Sequence, residues 1–96
     1  MSMAVPLKIL FADDDLKYSL LLKRFLEKEG YDVTYTGNGT MALEQFPVVK
    51  PDLVLLDINM PKIDGFGVLE RMNQFRWIEE LPVIMISAAE DRAVIE

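Results

Sequence analysis

Three apolar runs in this 96-residue chain stop abruptly at groups that can do chemistry. The run ending at Ala12 is followed by Asp13, Asp14 and Asp15, the run 53–56 by Asp57, and the run 83–86 by Ser87. Carboxylates gathered in one place repel one another, so either one of them holds a proton or a hard cation neutralises the group. Mg2+ suits such a site, because it prefers oxygen ligands, accepts one or two carboxylates and keeps waters or phosphate oxygens in the rest of its octahedron. Mn2+ shares that preference for oxygen. A carboxylate beside such a cation can attack a phosphoryl group while a neighbouring hydroxyl bonds the transferred oxygens. Asp57 as nucleophile, Asp13 and Asp14 in an acidic pocket and Ser87 as phosphate ligand form a coherent reaction centre.

Composition closes most other routes. The chain has no histidine and no cysteine, so the usual general base, thiol catalysis, disulfides and Cys- or His-based zinc sites are all excluded. Sixteen acidic residues against ten basic ones give a net charge of −6. That sign is wrong for displacing counterions from a phosphate backbone, so no nucleic acid is expected to bind this chain. No apolar run approaches the roughly 20 residues that span a bilayer, and the first one ends in aspartates rather than a cleavage site. A cytoplasmic protein without a membrane partner is expected. A length of 96 residues with 51% apolar content fits one domain with one core.

The elements that must position these groups can be read in order. Residues 1–6 lack periodicity and read as a disordered lead-in. Leu7, Ile9, Leu10, Phe11 and Ala12 read as a buried strand. Leu21, Leu22, Phe25 and Leu26 predict a helix over 16–29, capped by Asp14 or Asp15 and terminated at Gly30. Tyr31, Val33 and Tyr35 alternate with polar residues, as in an edge strand with one buried face. A second helix from Thr40 is expected to be short or kinked, because Pro47 lacks an amide donor and disfavours helical geometry at Phe46. Leu53-Val54-Leu55-Leu56 reads as a central strand, 65–75 as a third helix and 83–86 as another interior strand. A fourth helix is expected from Glu90. Trp77 is assigned to the core by default. Strict β-α alternation predicts a parallel sheet with helices on both faces. In such sheets the ligand lies beyond the carboxyl ends of the strands, where the aspartates and Ser87 gather. The opposite ends carry Pro6, Pro51-Asp52 and Pro82 instead.

Asp13-Asp14 after the first strand, Asp57 with Met60-Pro61 and Asp64-Gly65 after the third, and Ser87-Ala88 after the fourth together resemble the receiver domain of bacterial two-component response regulators. The resemblance runs in register over 7–96. It implies a flavodoxin-like, doubly wound α/β fold with strand order 2-1-3-4 in this chain. It implies phosphorylation of Asp57 by a sensor histidine kinase or a histidine phosphotransfer protein. It further implies Mg2+ held by Asp14, Asp57 and the backbone carbonyl of Asn59, with Asp13 in the acidic pocket and Ser87 as a switch hydroxyl. Met60, Pro61 and Gly65 would shape the loop. Such a domain is a phosphoacceptor that relays a conformational signal rather than an enzyme that turns over substrate.

The chain departs from that pattern at its end. The family's lysine lies on a fifth strand, and the receiver at 7–96 reads as incomplete, without that strand or the last helix. Lys62 is the nearest lysine to Asp57 in sequence and reads as solvated. The run 83–86 has none of the charge, proline or alternation that protects an edge strand. Either the chain is a piece of a longer receiver, or a second copy covers this strand in a homodimer. Three other readings compete. A receiver-like module that takes no phosphate would act through self-association. A phosphohydrolase with an aspartate nucleophile would resemble this site, but Asn59 stands where its acid should be. Gly37-Asn38-Gly39-Thr40-Met41-Ala42 fits G-x-G-x-x-A, nominally a dinucleotide fingerprint, although it follows the edge strand and reads as a glycine turn.

Overall fold

A computed structural model describes residues 5–75, 80–86 and 94–95. The first apolar run forms β1 (Lys8–Ala12), followed by α1 (Leu16–Lys28), β2 (Asp32–Thr36), α2 (Gly39–Val49), β3 (Leu53–Asp57), α3 (Gly65–Met72), β4 (Val83–Ile86) and β5 (Val94–Ile95). The strands lie in the order β2-β1-β3-β4-β5. The first four are mutually parallel, with Ala12 beside Leu56 and Thr36, and Asp57 beside Ile86. The doubly wound sheet of order 2-1-3-4 is therefore present, with β1 and β3 in its interior.

Alternation along the strands divides the core in two. Leu10, Ala12, Val54, Leu56, Val83 and Met85 pack with Ala42, Phe46, Val68 and Met72 of α2 and α3 on one face. Ile9, Phe11, Val33 and Leu55 meet Leu22 and Leu26 of α1 on the other. The run 53–56 carries no polar residue because both its faces are covered.

Each helix starts on a side chain supplied by the loop after a strand. Asp15, Asn38 and Asp64 accept the N–H groups of Tyr18, Met41 and Gly67 at 3.1, 2.8 and 2.8 Å, satisfying donors that have no partner within the helix. Gly30 follows α1 at φ +100°, the left-handed position glycine fills without a Cβ clash.

The structure corrects the sequence reading at four places. The second helix is not cut short at Phe46; α2 runs 11 residues through Pro47. Pro47 is exposed in the last turn, and Lys50, at φ +51°, closes that turn by donating to the Phe46 carbonyl at 3.0 Å. α3 stops at Met72, and Gln74 and Phe75 donate back to Arg71 and Met72 in tight turns. Leu21 and Phe25, expected on the buried side of α1, are exposed, and fully buried Ser19 shares the inner face with Leu22 and Leu26, one and two turns further on. At 94–95 the chain is a strand rather than a helix: Val94 and Ile95 pair antiparallel with Met85 and Ile84. β4 is thus covered from within the same chain over those residues, and an unpaired edge is no longer a reason to expect a second copy. The lead-in at 1–4, Trp77 and the rest of the segment from Glu90 lie outside the described residues.

Candidate functional site

β1 and β3 end side by side, and their last turns bring three carboxylates together. Asp57 is the final residue of β3 and only 1% exposed; Asp13, immediately after β1, is 3% exposed; Asp14 is exposed at the mouth. One carboxylate oxygen from each lies within 4.8 Å of the others.

Hydrogen bonds fix the two inner carboxylates asymmetrically. Asp57 Oδ1 accepts the Asn59 N–H at 3.2 Å, while buried Asp57 Oδ2 has no hydrogen-bond partner. Asp13 Oδ1 accepts the Asp15 N–H at 2.9 Å. The peptide groups on either side are bonded to β2: the Asp13 N–H donates to the Thr36 carbonyl at 3.2 Å, and the Asp13 carbonyl accepts the Tyr35 hydroxyl at 2.5 Å. Burial pushes the Asp57 carboxyl up to about 7, and the neighbouring Asp13 and Asp14 add to the rise, against the opposing Asn59 N–H. A buried anion without a partner is costly, and proton uptake or a cation relieves it. The all-oxygen donor set and the unpartnered Oδ2 fit a hard divalent cation such as Mg2+. Burial also raises the Tyr35 hydroxyl, opposed by the Ser19 hydroxyl beside it and reinforced by Asp13, Asp14 and Asp15.

The loop after β3 wraps the site from behind. Met60 is buried in the core. The Ile63 N–H donates to the Pro61 carbonyl at 2.8 Å around Lys62, whose φ is +70°. Gly65 donates to the Ile58 carbonyl at 3.0 Å, and a Cβ there would stand 2.6 Å from the Asp57 carbonyl oxygen and 2.7 Å from Met85 Cε. Only glycine lets α3 start this close to Asp57. Gly39 is comparable: its Cβ would meet Val68 Cγ2 at 2.7 Å and the Ile63 carbonyl at 2.8 Å. The glycine of the apparent dinucleotide motif therefore serves helix packing, and Asn38 between the two glycines is a helix cap.

Of the residues singled out in the sequence, Asp13, Asp14 and Asp57 come together, Asn59 follows in the same loop, and Met60, Pro61 and Gly65 shape that loop. Lys62 is exposed and lines a hollow of about 480 Å3 with Asn38, Thr40, Met41 and Pro61, a surface the three carboxylates do not share. Ser87 lies outside the described residues. Sequence reasoning missed Tyr35, read only as an alternating strand residue, and Ser19. The available signal was a tyrosine one residue from the end of the strand beside Asp13.

Comparison with known proteins gives a consistent result. The family model described as "Response regulator receiver domain" matches residues 9–96. The alkaline phosphatase synthesis transcriptional regulatory protein PhoP of Bacillus subtilis is 37% identical over 84 residues, covering 88% of this chain and 34% of its own length. The DNA-binding dual master transcriptional regulator RpaA of Synechocystis is 37% identical over 81 residues, covering 84% of this chain and 34% of RpaA. The chain spans about a third of the length of these curated relatives. Among solved structures, the N-terminal domain of a response regulator receiver protein from Methanoculleus marisnigri aligns with TM-score 0.79 at 35% identity, covering 86% of this chain and 68% of that one. Chemotaxis protein CheY4 of Vibrio cholerae aligns with TM-score 0.84 at 23% identity, covering 91% and 72%, a likeness of fold. Among the described residues no helix is long and apolar enough to cross a membrane.

Proposed function

The chain belongs to the response regulator receiver family of two-component signalling, and from that premise we propose that Asp57 accepts a phosphoryl group from a sensor histidine kinase or a histidine phosphotransfer protein. What supports the reading above all is Asp57 itself, a carboxylate at the end of an interior strand, 1% exposed, whose Oδ2 has no partner. Nothing in folding requires a carboxylate in such a place, and its burial has an energetic cost.

Asp13, Asp14, Asp57 and the Asn59 carbonyl would hold Mg2+, which supplies charge neutralisation for the carboxylates and the incoming phosphoryl oxygens. Asp57 then forms an O–P bond as the P–N bond of the donor's phosphohistidine breaks, and the leaving imidazole takes a proton. The Asn59 N–H keeps the Asp57 carboxylate in one rotamer. Met60 and Gly65 hold the loop against the core, so that the acceptor need not be reorganised during transfer. Ser87 is proposed, on the sequence motif, as the hydroxyl that bonds the transferred oxygens and biases a two-state surface. The protein is proposed to retain one phosphoryl group rather than turn over many, apart from its own phosphorylation and dephosphorylation. Signalling takes place in the cytoplasm on this reading.

The test is phosphate-affinity electrophoresis after exposure to a small-molecule phosphodonor with Mg2+. A shifted band of at most one phosphoryl group per chain is expected, lost in Asp57→Ala and in excess chelator. No shift in the wild-type chain would refute the acceptor role and leave a receiver-like interaction module. Turnover of many equivalents of a phosphate ester would point to a phosphohydrolase instead.

A further inference from the structure

Asp13 is held from three directions, and two of them are β2. Its N–H is bonded by the Thr36 carbonyl, its carbonyl by the Tyr35 hydroxyl and its Oδ1 by the Asp15 N–H. The Tyr35 ring lies against Phe11, with centroids 5.7 Å apart and planes tilted by 56°, so the phenol reaches over the end of β1 on a rigid base. Ser19 of α1, fully buried and without a well-formed hydrogen bond of its own, stands beside the same hydroxyl. The edge strand thus grips both peptide groups of one acidic residue, whose carboxylate has an oxygen within 4.8 Å of those of Asp14 and Asp57.

We propose that Tyr35 is a positioning residue of the acidic pocket, its hydroxyl holding the Asp13 peptide so that the carboxylate is oriented for a divalent cation before the cation arrives. The proposal rests on the reading of the pocket as a cation-dependent phosphoacceptor site. A carboxylate already constrained loses less freedom when it becomes a ligand, and affinity rises accordingly. Tyr35 touches neither the cation nor the phosphoryl group; it acts through Asp13. Without its hydroxyl the Asp13 carbonyl is left without that donor, and the turn 13–15 gains freedom that binding must remove.

The experiment titrates the full chain with Mn2+, reading free ion by its electron paramagnetic resonance signal, with Mg2+ as competitor. The variants are Tyr35→Phe, Thr36→Val and Tyr31→Phe, all measured well below their melting midpoints. Tyr35→Phe keeps the ring on Phe11 and removes only the hydroxyl. It is expected to weaken the apparent affinity for both ions by about three- to tenfold, the effect of one lost hydrogen bond. Thr36→Val removes a hydroxyl that donates to the Phe11 carbonyl at 3.3 Å, a bond of the strand pair alone. It is expected to lower the melting midpoint while leaving ion affinity within twofold. Tyr31→Phe should change neither. Faster hydrogen exchange at the Asp15 amide in Tyr35→Phe, with Leu10 and Leu55 unchanged, locates the effect in the turn. Wild-type affinity in Tyr35→Phe, or an equal loss in Thr36→Val, overturns the positioning role. A wild-type chain that binds neither ion overturns the cation-site reading itself, a result distinct from the other two.

Discussion

Replacing Asp57 with asparagine should stabilise the cation-free protein, and the size of the effect should depend on pH. Burial and the neighbouring aspartates raise the Asp57 carboxyl from 3.8 to about 7. Between those values the folded state holds a proton that the unfolded chain has released, so stability falls as pH rises through the window and the contribution is lost above about 7. A rise of about three units corresponds to about 4 kcal/mol at ~1.36 kcal/mol per unit. Water at the pocket mouth, where Asp14 is exposed, screens part of it, and about 1–3 kcal/mol is expected. Asparagine has nearly the same shape and no charge to desolvate. At pH 8 with chelator present, Asp57→Asn should therefore be the more stable protein by about 1–3 kcal/mol, roughly 4–8 °C in melting midpoint per kcal/mol. At pH 4.5 the difference should shrink to about 1 kcal/mol or less, because the folded wild-type carboxyl then keeps its proton while most of the unfolded chains have released theirs. Urea titrations followed by circular dichroism at four pH values between 4.5 and 8 measure it directly. Adding Mg2+ at pH 8 should close the gap by stabilising the wild type alone. A destabilised Asp57→Asn at pH 8, or a difference that does not vary with pH, would falsify the argument that Asp57 is held at a cost.

Other perturbations follow from the loop around the site. Gly65→Ala puts a methyl group 2.6 Å from the Asp57 carbonyl oxygen; it should cost about 1–3 kcal/mol by overpacking, seen in denaturant melts, and weaken Mg2+ binding as α3 is pushed away. Asp64→Ala removes the acceptor of the Gly67 N–H; about 1 kcal/mol should be lost in the same melts. Lys62→Gly relieves a side chain at φ +70°; thermal melts should show it neutral to about 1 kcal/mol more stable, and phosphate-affinity electrophoresis should show phosphorylation unchanged.

The parts of this molecule that the sequence made legible are those governed by local rules or by burial on both sides. The runs ending at Ala12 and Leu56 read as a buried and a central strand, and polar groups that follow such runs gather at one edge of a parallel sheet. That is enough to bring Asp13, Asp14 and Asp57 together from the sequence alone. What stayed hidden depends on neighbours distant in sequence. Pro47 breaks a helix interior but is tolerated in a last turn closed by Lys50, which is a matter of where the helix ends. Leu21 and Phe25 fit an apolar stripe, yet the inner face of α1 is centred on Ser19, Leu22 and Leu26. A serine at the centre of a buried face is invisible to hydrophobic periodicity. At 94–95 the backbone pairing beside β4 outweighs the helical reading from Glu90. Tyr35 is the same kind of miss, because alternation reports which face a strand residue occupies and not what its hydroxyl reaches.

The two kinds of residue meet at Asp57, and their meeting explains why the site is stable enough to exist. A carboxylate with a free oxygen is held 1% exposed at the end of β3 because Val54, Leu55 and Leu56 before it are buried on both faces of the sheet. Met60 anchors the loop behind it in that core, and Gly65 lets α3 start against its backbone. These contacts are apolar or backbone-to-backbone, and none of them satisfies Asp57 Oδ2. The surrounding structure thus over-determines the position of the carboxylate without relieving its charge, as a site must when a cation or a phosphoryl group is to supply the compensation. A more stable arrangement is one substitution away, at Asp57 itself, and on the proposed phosphoacceptor reading it is one that could no longer take a phosphoryl group.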